Sequence, residues 1–351
     1  MVRELTAERP GALELSVEVD GGLRPAIAYP ALVGPVRPGD RVLVNTTAVT
    51  LHLGTGGTDF VVAVLGADAL EVEGPGHVMK LRYSPAQAAV LSVEEPDSPH
   101  REAIEAADGL DGTPVVWTPL HSLVAPVVAG ARAAGAQRVA YVMTDGAALG
   151  APLSRACAAL RSSGLLEAVV SAGQAFGGDL ESVNTFTGLL AARVVAGADV
   201  VVVGDGPGNT GTGTRWGATD LWSAMSLSAA RILGGTAVAA LRISFADPRA
   251  RHRVVSHHSL TALARVVEPG AHVAIPAPVG HARERAIRDA LAGASVAERH
   301  RLVEADGRPA IELLASRGIA LESMGRTVQD DPVFFLAGGA AGRTGRATPA
   351  W

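Results

Sequence analysis

The chain has 351 residues, of which 48% are hydrophobic, 19% charged and 4% aromatic, with a formal net charge of −5. That length carries two domains with a sizeable core, built mostly of Val, Leu and Ala, and the acidic balance argues against nucleic acid or a membrane surface as the main partner. The single cysteine, Cys157, excludes a disulfide within the chain and reads as a small buried apolar residue in a reducing compartment.

The opening run MVRELTAERPGALELSV lacks an apolar h-region, and no apolar run approaches a bilayer span, so a cytoplasmic protein is the expectation. Residues 1–95 read as β. Leu13–Val19 alternates apolar and polar residues, Asp20-Gly21-Gly22 is a turn signal, and Leu23–Tyr29 is its partner strand. Arg41–Asn45, Phe60–Leu65 (after the turn Gly54–Gly57) and Val78–Arg82 continue the pattern. Short strands with glycine turns predict a small β barrel or sandwich. Residues 96–112 read as a linker with a short helix.

From Thr113 strand and helix alternate. Strands are expected at Pro114–Trp117, Arg138–Met143, Glu167–Ser171, Asp199–Val203, Thr236–Ile243, His272–Ile275 and His300–Val303, with helices between them, one of them over Leu180–Ala196. The expectation is an α/β protein: the small β domain, then a Rossmann-like domain over 113–337 with a mainly parallel sheet of six to seven strands. The Gly-, Ala- and Arg-rich residues 338–351 read as a mobile tail.

In such a sheet, ligands bind outside the carboxyl ends of the strands. The loops leaving those ends carry Thr118–Ser122, Thr144-Asp145-Gly146, Ala172–Asp179, Gly204–Thr219 and Ser244–His258, and they are rich in His, Asp and Gly. The opposite loops are short and plain. The spacing Gly206-Pro207-Gly208-Asn209-Thr210-Gly211 follows a strand, but Thr212, Gly213 and Thr214 intervene before the helix, and no acid closes the next strand. A standard dinucleotide site is therefore disfavoured. What remains is a run of backbone N–H groups and threonine hydroxyls suited to phosphate or carboxylate, or else a structural turn.

The loop after the fifth strand holds Arg249, Arg251, His252, Arg253, His257 and His258, a cationic cluster in an acidic protein. Asp145 and Asp179 precede helices, so capping competes with a ligand role. Asn184 falls in the first turn of its expected helix, near the cleft. His121, His257, His258 and the strand-end aspartates could converge on a metal, chiefly His257, His258 and Asp145, although no HExxH, HxxEH or paired-cysteine spacing occurs. Lys80 is the only lysine in the chain. A position that keeps an ammonium where all other basic residues are arginines either needs one or is an incidental survivor. With His77 in the preceding turn, Lys80 is placed to close the cleft if the β domain packs over it.

Taken together, GDRVLVNTTA, LGTGGTDFV, EGPGHVMKLRYSP, YVMTDGAAL, AFGGDLESVN, GPGNTGTGT, LRISFADPRARHRVVSHHSLTAL and SMGR…DDPVFFLA resemble a bacterial family known only as a domain of unknown function. The resemblance spans nearly the whole chain and implies a two-part protein without supplying an activity. A fainter one links Gly211–Thr219, GTGTRWGAT, to the GTCTRCGAT run of the glycine reductase selenoprotein subunit. Gly213 and Trp216 stand at its cysteines and Thr210 at its selenocysteine, so only loop geometry carries over.

The functional expectation is an enzyme for a small anionic metabolite, phosphorylated or nucleotide-like. Gly206–Thr214 would hold the anion, with Asp179, Asn184 and His77 as further contacts. Asp145, His121 or His257 would act as acid or base, and Lys80 or Arg251 would neutralise charge. A non-catalytic metabolite sensor and a metal-dependent hydrolase are the alternatives. No cofactor is named by the sequence, and a homo-oligomer is left open.

Overall fold

Period-two alternation in LELSVEV turns Leu15 and Val17 into one apolar layer, and a computed structural model places this strand in the N-terminal sheet. The structure describes residues 1–53, 57–66, 69–70 and 76–347. Most of the expected Gly54–Gly57 turn, the start of the EGPGHVMKLRYSP motif and the last four residues lie outside these. Strands β1 (Val2–Arg9), β2 (Ala12–Val19), β3 (Gly22–Ala28), β4 (Val42–Asn45) and β5 (Asp59–Val64) form a five-stranded sheet in the order β1-β2-β3-β5-β4. Its two edges touch where the Val2 N–H donates to the Asp40 carbonyl at 2.8 Å and the Gly39 N–H donates to the Val2 carbonyl at 2.9 Å. Strand β1 was not foreseen. It is an edge strand whose residues are almost all exposed, so its sequence shows no apolar face. β6 (Val78–Lys80) and β7 (Ala88–Val90) pair separately.

The second part is an eight-stranded parallel sheet flanked by helices. Its strands are β8 (Pro114–Thr118), β9 (Val139–Thr144), β10 (Ala168–Ala172), β11 (Leu180–Ser182), β12 (Val200–Asp205), β13 (Thr236–Ala239), and, after the small hairpin β14 (Ile243–Ser244) and β15 (Val254–Val255), β16 (His272–Pro276) and β17 (Arg301–Ala305). The order is β11-β10-β9-β12-β8-β13-β16-β17, and every neighbouring pair is parallel. Successive residues of the central strands enter opposite layers. Val115, Val201 and Val203 face one core, and Val116, Val200 and Val202 the other.

The eighth strand corrects an expectation. Leu180 opens the edge strand β11 and not a helix, because 173–179 brings the chain back along β10 to pair Val170 with Leu180. The helix begins at Thr185, capped by Asn184, whose Oδ1 accepts from the N–H groups of Phe186 and Thr187 at 2.9 and 3.2 Å. The expected strand Thr236–Ile243 also breaks: β13 ends at Ala239 and leaves Arg242 beyond the rim.

A second correction concerns the expected tail. Pro332–Ala347 is a sixteen-residue helix, buried along most of its length. It lies against the helix Val124–Ala133 and against β8, β13, β16 and β17. The composition that looked like disorder is what this contact needs. A Cβ on Gly342 would strike the Val127 carbonyl, one on Gly130 the Gly339 carbonyl, and one on Gly338 would come to 2.7 Å from Pro126 Cγ. Among the described residues no helix is long and apolar enough to cross a membrane.

Candidate functional site: a cleft over the three central strands

Because β12, β8 and β13 are neighbours, the loops leaving their carboxyl ends meet. Leu120–Ser122 follows β8, Pro207–Gly211 follows β12, and Arg242 follows β13. With Asp220, Arg249, His252 and His258, and with Glu322–Met324 from the hairpin β18 (Glu322–Ser323) and β19 (Arg326–Thr327), they line a cleft of about 600 Å³.

The cleft is cationic on one wall. Arg249 forks onto Asp247 through Nε and Nη2, both at 2.9 Å, while Arg242 and Arg326 reach the same carboxylate at 3.3 and 3.4 Å. Arg326 also meets Asp331 at 3.5 Å, so three guanidiniums face two carboxylates. Burial pushes the Asp247 carboxyl up, but the hydrogen bonds and charge of Arg249 and the charge of Arg242 hold it well below the usual range. Arg242 is 7% exposed, and its Nε has no hydrogen-bond partner among the described residues. Burial, with the neighbouring charge of Arg249, lowers it to about 10, which leaves it fully charged at neutral pH.

Asp220, the first residue of its helix and 5% exposed, also lines the cleft. Burial, and next the charge of Asp205, raise it to about 7, against the pull of Arg242. A carboxyl at that value exchanges a proton near neutrality. Asp205 itself closes β12. Its carboxylate accepts from Thr144 Oγ1 at 2.7 Å, the Gly146 N–H at 3.1 Å and Asn209 Nδ2 at 2.8 Å, and burial raises it as well.

The histidines group as three and one. His252, His257 and His258 have ring centroids 3.9–5.6 Å apart, and a ring nitrogen from each lies within 4.8 Å of the others. Burial first, then surrounding arginines, lower His252 to about 3; burial, then His257 and the arginines, lower His258 to about 4; His257 shifts the same way. All three rings are neutral at pH 7. His121 stands apart. The Asp205 carbonyl, 3.2 Å from Nδ1, can only accept, so Nδ1 carries the proton and Nε2 accepts from Ser154 Oγ at 2.6 Å. Burial lowers this ring to about 4.

The glycine loop is more closed than its sequence implies. Gly211 bridges Ala218, the Thr212 N–H donates to the Gly217 carbonyl, and Thr212 and Thr214 bond to each other at 2.9 Å. Gly208, Asn209, Thr210 and Gly211 line the cleft, whereas Gly206, Thr212, Gly213 and Thr214 do not. Gly211 is glycine for a local reason: a Cβ would lie 2.5 Å from His258 Cε1. Arg251 lies by Gly213, outside the lining.

Other expected residues stand elsewhere. Asp145 accepts from the Gln174 N–H at 2.9 Å and, with Asn184, lines a second hollow of about 440 Å³ whose other lining includes Gly173 and Trp222. Asp179 is at the amino end of β10, held by Arg161 at 2.9 Å and accepting the Val169 N–H at 2.8 Å. His77 is exposed beside Glu95. Lys80, expected at the cleft, is fully buried instead. Its Nζ donates to the carbonyls of Gly173 and Ser182, both at 2.9 Å, and meets Glu181 at 3.3 Å. It clamps the ends of β10 and β11. Burial lowers Lys80 and raises Glu181, and each charge opposes the other's shift.

Three charged residues of the cleft, Arg242, Asp220 and Glu322, were not singled out as site residues in the sequence. Only Arg242 left a signal, as a lone charge in the apolar run AVAALRIS. No curated protein and no solved structure matches the chain. A family model described as "Protein of unknown function (DUF3866)" matches residues 25–342. The chain belongs to this family of unknown function.

Proposed function

We propose that the cleft binds a small anionic metabolite, phosphorylated or carboxylated, and that the protein is an enzyme acting on it. The observation that carries the reading is Arg242, a buried guanidinium that lines the cleft beside Arg249 and whose Nε has no hydrogen-bond partner among the described residues. Arg242 and Arg249 bind the anion, Gly208–Gly211 forms the opposite wall, and Asp220 is the proton donor or acceptor. The position over the carboxyl rim supports a Rossmann-like reading of the parallel sheet, and the Val2–Asp40 tie supports a barrel reading of the N-terminal one. In this reading nucleic acid and membranes are not partners, and the protein works in the cytoplasm.

Calorimetric titration with a panel of sugar phosphates, nucleotides and small carboxylic acids tests it. At least one is expected to bind, and Arg242→Gln to weaken it by on the order of tenfold or more, since a charge-assisted hydrogen bond is worth about 1.5–3 kcal/mol. Undiminished affinity in Arg242→Gln would remove the cleft from the argument. Asp220→Asn is then expected to spare binding and abolish turnover.

A further inference from the structure

We infer that His252, His257 and His258 form a three-imidazole site for a divalent transition metal of the zinc class, with an open coordination position on the cleft. The spacing is a histidine, four residues, then a histidine pair, at the end of the β14–β15 hairpin and the first turn of the following helix. Ser256 Oγ hydrogen-bonds His252 Nδ1 at 2.9 Å and, as cap of that helix, accepts the His258 N–H. An outer hydrogen bond to one ring nitrogen is how ligating histidines are held, with the other nitrogen aimed at the ion.

The second observation is a deficit. Nε2 of His257 and Nε2 of His258 are both buried without a partner in hydrogen-bond geometry among the described residues, the Thr214 backbone being the one acceptor that acts on the His258 ring. His258 is 3% exposed and His252 2%. A cluster kept only for packing would be expected to use apolar side chains, because orphaned ring nitrogens cost free energy. Around a tetrahedral ion with bonds of about 2.0–2.1 Å, ligand nitrogens lie roughly 3.4 Å apart. In the present structure a nitrogen from each ring lies within 4.8 Å of the others, so binding requires a contraction of about 1.4 Å at most.

Three protein nitrogens leave one tetrahedral position free, the arrangement of catalytic and not of structural zinc sites. No carboxylate belongs to the cluster among the described residues, and Arg242 and Arg251 carry charge of the metal's own sign nearby. An anion therefore suits the open position. This last clause rests on the anion-binding reading above; the three-histidine site itself does not.

The test uses the full chain, stripped with a chelator and titrated with Zn²⁺ and Co²⁺ in the absence of any anionic metabolite. About one ion per chain is expected, with cobalt giving the visible absorption of a four-coordinate nitrogen site. His257→Asn is expected to lower the affinity by more than the roughly 10–100-fold that loss of an outer hydrogen bond costs. If His258→Asn fails to fold, half-buried His257, checked by circular dichroism, keeps the measurement decisive. Absence of stoichiometric binding, or equal affinity in His257→Asn, would overturn the inference. Zinc binding without affinity for any anion would sustain the site and defeat the anion reading. Anion binding to a protein that takes no zinc would do the reverse.

Discussion

The only lysine is also among the largest fully buried side chains. Its rarity left open whether the position needs an ammonium, and the cleft role is corrected by its place: an ammonium has three donors on one compact head, and here it meets the carbonyls of Gly173, Ser182 and Ser171 and the Glu181 carboxylate. A guanidinium spreads its charge and donors over a planar fork and does not reproduce that compact head. Lys80→Met is expected to cost about 3–5 kcal/mol in chemical denaturation at pH 8, because it strands a buried carboxylate. The cost shrinks as pH falls, because the Glu181 carboxyl, raised by burial and released from the lowering pull of Lys80, takes up a proton. Lys80→Arg is expected not to rescue it. His121 gives a second test. Its folded value, near 4, lies below the roughly 6.5 of an unfolded histidine, so the unfolded chain takes up a proton between those limits. The contribution of His121 to stability is therefore absent below pH 4, grows as pH rises to about 6.5 and is constant above. The stability difference between the protein and His121→Asn, followed by denaturation across that range, is expected to widen by up to about 3 kcal/mol.

At the scale of elements, what the sequence announced was whatever depends on local pattern. Valine runs bounded by glycine marked the central strands, and strand–helix alternation marked the parallel sheet. The misses share one cause, a tertiary contact with no local signature. β11 is a three-residue edge strand created by pairing with β10. Helix Pro332–Ala347 exists because its small residues let another backbone come close. A Gly→Ala change in a helix interior ordinarily gains about 1 kcal/mol. At Gly342 the added methyl meets the Val127 carbonyl, part of a backbone that cannot swing aside. Gly342→Val is expected to lose about 3 kcal/mol in thermal or denaturant unfolding, whereas Gly293→Ala, where a Cβ meets nothing within 4 Å, is expected to be neutral or slightly stabilising.

For the whole molecule, the residues that the sequence gathered into one pocket divide between separate hollows along the rim of the sheet. The order β12-β8-β13 assembles the arginine cleft, while Asp145 and Asn184, which follow β9 and β11, fall to the other side. Strand order is what separates them, and a single sequence does not reveal it. Asp205 stands between, bonded to Thr144 before one hollow and Asn209 at the other. A ligand of the cleft is expected to stabilise the fold by about 2.7 kcal/mol at a hundred times its dissociation constant. Calorimetric melting should show that gain in the protein and its loss in Arg242→Gln, but not in Asp145→Asn.

The buried helix Pro332–Ala347 comes late in the chain. β8 begins at Pro114 and its cover at Pro332. At about 5–20 residues per second of synthesis, roughly 10–40 s pass before this helix can dock on the helix Val124–Ala133 and the strands β8, β13, β16 and β17. Until then the close backbone contact made through Gly130, Gly338 and Gly342 is missing, so this packing layer is completed only as the last helix leaves the ribosome.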